Sequence, residues 1–428
     1  MVGIILEKAE PTTGLLVNYC NGGDYVANIF INDVGTNVSS QFSELRVAKK
    51  TPIIELTSVY GISALRDIVT VTGGGTVTNN ATEYALTTST GTTDSAILDS
   101  ADRGRYEPGY ACEVGIGVRQ PVAPTGNQFA RWGLYDTQNG AFFGNNSSGI
   151  FVAVRRGGTD TVIPQASWNV DPLNGTGQSG ATLNLAKGNI FLIVFTWYGY
   201  GIIEFRVVLP NPTTTAQEVI TVHRFSPVGQ TSLIDPDLPL RAEVNNSGTG
   251  TAFNLFAAGR QYSIIGKFNP VFRNTSERRT VTNVTATLIP LISFTRKAVF
   301  PAGSGRANSI QVLLESVEII TNVDLAFQVI LGGTVNGTFI NYPTATTNIP
   351  VSETALLVNS SSTTITGGEV VFQGLAAAST GSSTSLLASQ NLLDFELPDN
   401  QIITLAVATL GAGGSNTVSA IFRVTENW

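Results

Sequence analysis

The chain has 428 residues, and only 13% of them are Asp, Glu, Lys or Arg, about half the share in an ordinary soluble domain. One His and two Cys, at positions 20 and 112, stand beside 44 Gly. That excludes a His-rich zinc centre and a four-thiolate cluster, and the net charge of −7 gives nucleic acid little to grip.

Helical periodicity is almost absent. Short apolar or alternating segments are separated instead by Gly, Pro, Asn and Ser, which is the pattern of an all-β chain. Tyr25–Ile31 reads as a first strand. Glu113-Val-Gly-Ile-Gly-Val-Arg119 alternates, and Ile150-Phe-Val-Ala-Val-Arg155 is strand-like. Ile190 to Trp197 and Ile202 to Leu209 flank Tyr198-Gly199-Tyr200-Gly201. The glycines permit a tight turn, so this is a hairpin of two core strands. Val312–Leu314, Leu325–Leu331, Ile402–Ala408 and Val418–Val424 follow, with turns at Gly332-Gly333, Gly367-Gly368 and Gly411-Ala-Gly-Gly414. Short strands at this spacing form sandwiches or jelly rolls.

Three regions result. Residues 1–60 are a small mixed segment, too short for a core of its own. Residues 61–268 hold most of the aromatics and every Trp except Trp428. Residues 269–428 are aliphatic and acidic. Between 307 and 422 there is no Lys or Arg, and eight acids: Glu315, Glu318, Asp324, Glu353, Glu369, Asp394, Glu396 and Asp399. The fold expected is all-β, two β-sandwich or jelly-roll domains after an N-terminal anchoring segment. No apolar run reaches the roughly 18 residues of a membrane helix, and the N-terminus lacks the layout of a signal peptide. No nucleic acid, membrane insertion, cofactor or metal is expected.

Catalytic constellations are thin. His223 lies in Val-Ile-Thr-Val-His-Arg-Phe and reads as one position of an amphipathic strand. No Gly-x-Ser-x-Gly elbow accompanies it. Carboxylates could hydrolyse glycosides without a His, and Asp94, Asp99, Asp102, Glu107 and Glu113 are the candidates. Glu204 stands alone, and loop ion pairs with Arg103, Arg105 and Arg119 are the simpler reading. Asp235-Pro-Asp237 is a turn whose oxygens could meet calcium, although it lacks the spaced loop of a strong site. Trp132 and Trp197 read as core. Trp168 in a polar loop, and Tyr198 and Tyr200 in the hairpin turn, read as exposed contacts for a glycan or a neighbouring subunit.

Several strings, Leu65-Arg-Asp-Ile-Val-Thr-Val-Thr, Arg103-Gly-Arg-Tyr-Glu-Pro-Gly-Tyr110, Arg131-Trp-Gly-Leu-Tyr-Asp and Phe195-Thr-Trp-Tyr-Gly-Tyr-Gly-Ile-Ile-Glu-Phe-Arg206, are among those that carry a likeness. The middle region resembles a concanavalin-like jelly-roll module of tailed-phage virion structural proteins. The C-terminal part, ending in Ile421-Phe-Arg-Val-Thr-Glu-Asn-Trp428, resembles a β-sandwich module that closes several phage virion proteins. The resemblance implies a non-enzymatic capsid- or tail-attached fibre, spike or decoration. It would be a homo-oligomer, expected as a trimer, assembled in the host cytoplasm and held to other virion proteins through residues 1–60. Host-surface glycan is a further partner. The alternative is a viral glycan depolymerase using the carboxylates in 94–113. A bacterial cell-surface carbohydrate module is a third reading, which the missing signal peptide disfavours.

Overall fold

A computed structural model describes residues 50–428, apart from 197–198, 212–214, 228, 230–234, 269–271, 343–349, 379–383, 387–396, 399–400, 412–413 and 428. The expected strand Tyr25–Ile31, with Cys20, Trp197, Tyr198 and Trp428, lies outside the described residues.

Fifteen strands come first: β1 (Lys50–Leu56), β2 (Asp67–Thr72), β3 (Thr76–Asn79), β4 (Tyr84–Thr87), β5 (Ser95–Arg103), β6 (Ala111–Arg119), β7 (Phe129–Tyr135), β8 (Gly140–Asn146), β9 (Gly149–Arg156), β10 (Thr159–Pro164), β11 (Asn189–Thr196), β12 (Ile203–Pro210), β13 (Gln217–Phe225), β14 (Pro239–Asn245) and β15 (Asn254–Ile265). They form two antiparallel sheets. The front sheet runs β13-β12-β11-β6-β15-β4-β3, with β1 added beside β15, and the back sheet runs β10-β9-β8-β7-β14-β5-β2. Residues 50–56, assigned above to the N-terminal segment, therefore join this sandwich. Ile54 is in its core, because β1 pairs with β15 and its apolar side faces inward.

Alternation in sequence becomes two faces in space. From β6, Cys112, Val114, Ile116 and Val118 enter the core, which leaves Glu113, Gly115, Gly117 and Arg119 outside. Phe191 from β11 meets Trp132 and Phe143 of the back sheet. Trp132 lies parallel to Phe143 at 6.5 Å between ring centroids and meets Phe191 edge-on at 5.0 Å. Buried rings of this size contribute on the order of 2–3 kcal/mol each.

Twelve strands follow: β16 (Phe272–Thr282), β17 (Ile289–Arg296), β18 (Gln311–Thr321), β19 (Leu325–Leu331), β20 (Thr334–Val335), β21 (Ile340–Asn341), β22 (Leu356–Asn359), β23 (Ile365–Thr366), β24 (Glu369–Ala376), β25 (Thr384–Leu386), β26 (Ile402–Thr409) and β27 (Thr417–Asn427). Sheets β16-β27-β18-β25 and β21-β22-β17-β26-β19-β24 enclose a second core built on Phe294, Phe327, Leu405 and Phe422. The helical pieces among the described residues are three-residue 3-10 turns, and no helix there is long and apolar enough to cross a membrane. The chain is all-β, as its patterning requires.

Candidate functional site

The outer face of the back sheet is built in layers. Three cross-strand pairs set a glycine opposite an aromatic ring: Tyr135 and Gly140, Gly133 and Phe142, Gly144 and Phe151. A Cβ on Gly144 would stand 2.3 Å from the Phe151 ring, so the ring occupies the space a side chain would take. Arginines then lie over the rings. The Arg131 guanidinium is 4.1 Å from the Phe129 centroid, Arg155 is 5.2 Å from Phe142, and Arg241 is 5.4 Å from Tyr135. Carboxylates bind the guanidiniums. Arg241 donates to both oxygens of Asp99 at 2.6 and 2.7 Å, and Arg155 to both of Asp160 at 2.6 and 3.0 Å. The Tyr135 hydroxyl donates to Glu243 at 3.2 Å. Cation–π contacts and bidentate pairs of this kind hold planar groups in fixed directions. The result is a rigid face of guanidinium and carboxylate planes.

The β11–β12 hairpin reaches the same end of the sandwich. Phe195 and Ile203, at its base, share a small cavity with Leu134, Gly140 and Ala141 of the back sheet. Its turn has Gly199 at φ 83°, a conformation glycine takes without strain. Tyr200 follows, with 61% of its surface exposed. Of the three residues expected to make contacts, Tyr200 is displayed and Tyr198 lies outside the described residues.

Trp168 is a correction. It is 6% exposed and belongs to the first core. Its indole N–H donates to the Ile163 carbonyl at 3.3 Å. The segment around it is polar, but the backbone N–H groups of Val170 and Asp171 both donate to the Val222 carbonyl at 3.2 Å. That pins the loop against the sandwich edge and turns the ring inward.

The carboxylates of 94–113 do not converge on one groove. Asp94 caps a turn, accepting from the backbone N–H groups of Gly74, Ser89 and Gly91. Asp99 is on the back face. Glu113 is on the opposite, front face, paired with Lys50 and accepting from Gln261 at 3.2 Å. Burial pushes the Glu107 carboxyl up. Asp237 is held near Arg105 and accepts from the Tyr106 N–H at 2.9 Å, while Asp235 accepts from the Asp237 N–H. No group of three or more His, Cys, Asp or Glu able to hold a metal occurs among the described residues.

Glu204 is not isolated. Val194 of β11 pairs with Glu113 on one side and Glu204 on the other. Two glutamates thus share a row of the front face, two strands or about 10 Å apart at their backbones. Reading the strands singly misses this, because β6 and β12 are far apart in sequence and meet only through β11. Glu204 is bound by Arg206 and by Arg224 at 3.0 Å. Burial pushes the Cys112 thiol up to about 12 and lowers the His223 imidazole, whose Nδ1 accepts from the Asn169 N–H at 3.2 Å.

No family model and no curated protein matches this chain. Among solved structures it is similar to the metal-free carbohydrate recognition domain of Emp46p, at 8% identity and a TM-score of 0.30, over 50% of this chain and 100% of that one. It is similar to an endo-1,3-β-glucanase from Streptomyces sioyaensis at 7% identity and 0.33, over 51% and 97%. It is similar to a legume lectin-like domain from Entamoeba histolytica at 11% identity and 0.29, over 49% and 98%. Scores and identities of this size leave the function of this chain to its own residues.

Proposed function

We propose that the chain is a structural protein of a tailed-phage virion, a homo-oligomer forming a fibre, spike or decoration. The residues ahead of β1 hold it to the capsid or tail. The first sandwich contacts host-surface glycan through the exposed Tyr200 of its β11–β12 hairpin. The observation that carries the non-catalytic part is the commitment of the reactive groups. Asp99 and Glu204 are locked to arginines, Glu113 to a lysine, the thiol is protonated and the imidazole is engaged. The virion placement rests on the sequence strings quoted above. Mass spectrometry and immunogold labelling of gradient-purified particles test it. The chain should be found on the particle in many copies, and its absence from particles overturns the reading.

A second reading has one observation in its favour. Glu113 and Glu204 flank Val194 on one face, and glycoside hydrolysis uses a pair of carboxylates. Both glutamates are ion-paired in the structure, Glu113 with Lys50 and Glu204 with Arg206 and Arg224. Release of reducing ends from host polysaccharide, abolished by Glu204→Gln, would establish this reading in place of the first.

A further inference from the structure

Guanidinium groups of the first sandwich meet carboxylates in two ways. Arg119 donates through Nε and Nη2 to both oxygens of Glu83, at 3.2 and 2.7 Å, and Arg241 and Arg155 grip Asp99 and Asp160 alike. One carboxylate closes each of those forks. Glu204 is shared instead. Its Oε2 accepts from Arg206 Nε at 2.8 Å and its Oε1 from Arg224 Nε at 3.0 Å. Two cations therefore face one anion, and the next carboxylate of that row, Glu113, is taken by Lys50. Glu204 and Arg206 are buried, whereas 37% of the Arg224 side chain is exposed. Arg224 Nη1 and Nη2 have no hydrogen-bond partner among the described residues. This open fork is also held still. The Arg224 N–H donates to Asn169 Oδ1, and Asn169 Nδ2 donates to the Arg224 carbonyl, each at 2.9 Å. The neighbouring Trp168 anchors that loop in the core. Tyr200 lies four residues before Glu204 on the same hairpin, at most about 14 Å along the chain, with exposed Ile202 between them.

We infer that the glycan met by the first sandwich is acidic, and that Arg224 receives the carboxylate of a uronic-acid residue on Nη1 and Nη2. Two parallel N–H groups at a fixed spacing match the two oxygens of a carboxylate. Glu204 neutralises one of its two arginines, and the anionic sugar balances the charge that is left. The Tyr200 ring presents its electron-rich face to the C–H face of a neighbouring sugar. Glu204 and Asn169 are positioning residues for Arg224. This inference rests on the glycan part of the proposed function and names the class of glycan.

The test is titration calorimetry of the purified full chain with three probes: a glucuronic-acid-containing oligosaccharide, the same oligosaccharide with its carboxyls reduced to alcohols, and a sulfated form of the reduced one. The acid form should bind at least tenfold more tightly than either of the others, as a charge-assisted bidentate pair warrants. Arg224→Gln, with wild-type circular dichroism, should abolish that preference, and Arg224→Lys should recover only part of it. Arg119→Gln should leave it intact, because that fork is already closed by Glu83. Tyr200→Ala should weaken the acid and reduced forms alike. If the reduced or the sulfated form binds as tightly as the acid form, or if folded Arg224→Gln keeps the preference, the inference fails while the glycan reading stands. Should Arg224→Gln misfold, Arg224→Lys decides, and an undiminished preference overturns the inference. If none of the three probes binds, the inference fails, and if the chain also leaves host cells unbound, the glycan reading fails with it.

Discussion

Arg105 of the first sandwich donates through Nη1 to the backbone carbonyl of Ser309 in the second, at 2.7 Å. The same nitrogen lies 3.7 Å from Asp237, and Leu65 of the first sandwich packs against the second core. The two sandwiches are thereby joined by a charged peg as well as by chain connectivity. Arg105→Ala removes a charge-assisted bond and strips a neighbour from Asp237, at a cost of about 3 kcal/mol. Scanning calorimetry should show a lowered midpoint and a broadened or split transition. An unaltered single transition would show that the peg does not couple them.

Asp237 makes the same junction sensitive to pH. Burial pushes its carboxyl up to about 6, Arg105 opposes this and Asp235 adds to it. Unfolded, the group titrates near 3.8. Between those values the folded chain keeps a proton that the unfolded chain has lost. The stability from this group is full below pH 3.8 and is lost as pH rises through 6. The side chain is about a quarter exposed, so the change is on the order of 2 kcal/mol. Urea unfolding of wild type and Asp237→Asn from pH 4 to 7 checks it. The wild-type minus variant difference should fall across that range, and a flat difference refutes the assignment.

Trp168 and Tyr200 should respond in opposite ways. Trp168→Ala empties a core position and should destabilise by about 3–5 kcal/mol, seen as a shifted urea midpoint. Tyr200→Ala touches an exposed turn and should stay within about 0.5 kcal/mol of wild type, while weakening adsorption to host cells several-fold. Wild-type adsorption by folded Tyr200→Ala would remove the hairpin from the glycan contact.

Cys112 should be silent in the native protein. With its thiol pushed up to about 12 and buried in the core, the thiolate fraction at pH 8 is about one in ten thousand. Iodoacetamide at pH 8, followed by peptide mass mapping, should leave the Cys112 peptide unmodified until guanidinium is added. Rapid native alkylation would place the thiol at an open surface.

Period-two patterning made several strands legible. Glu113–Arg119 falls inside β6, and Leu325–Leu331 is β19 itself. The hairpin around Gly199 follows from glycine chemistry. The face of Arg131, Arg155 and Arg241 was not legible, since β14 enters between β5 and β7 although it begins only at Pro239, far beyond Tyr135 where β7 ends. The same holds for the Glu113–Glu204 row. Trp168 was misplaced for a different reason. Local polarity around it reports hydrogen bonds to Val222, not exposure.

The glycine–ring pairs of the back sheet also act as an alignment key. Sliding β8 by one residue against β9 would swing Phe151 to the other side of the sheet. Sliding by two would keep the sides but set Phe151 against Phe142 or Asn146, and leave Gly144 without its ring. Only one register lets the Phe151 ring lie over the bare backbone of Gly144, so a slipped pairing loses that contact.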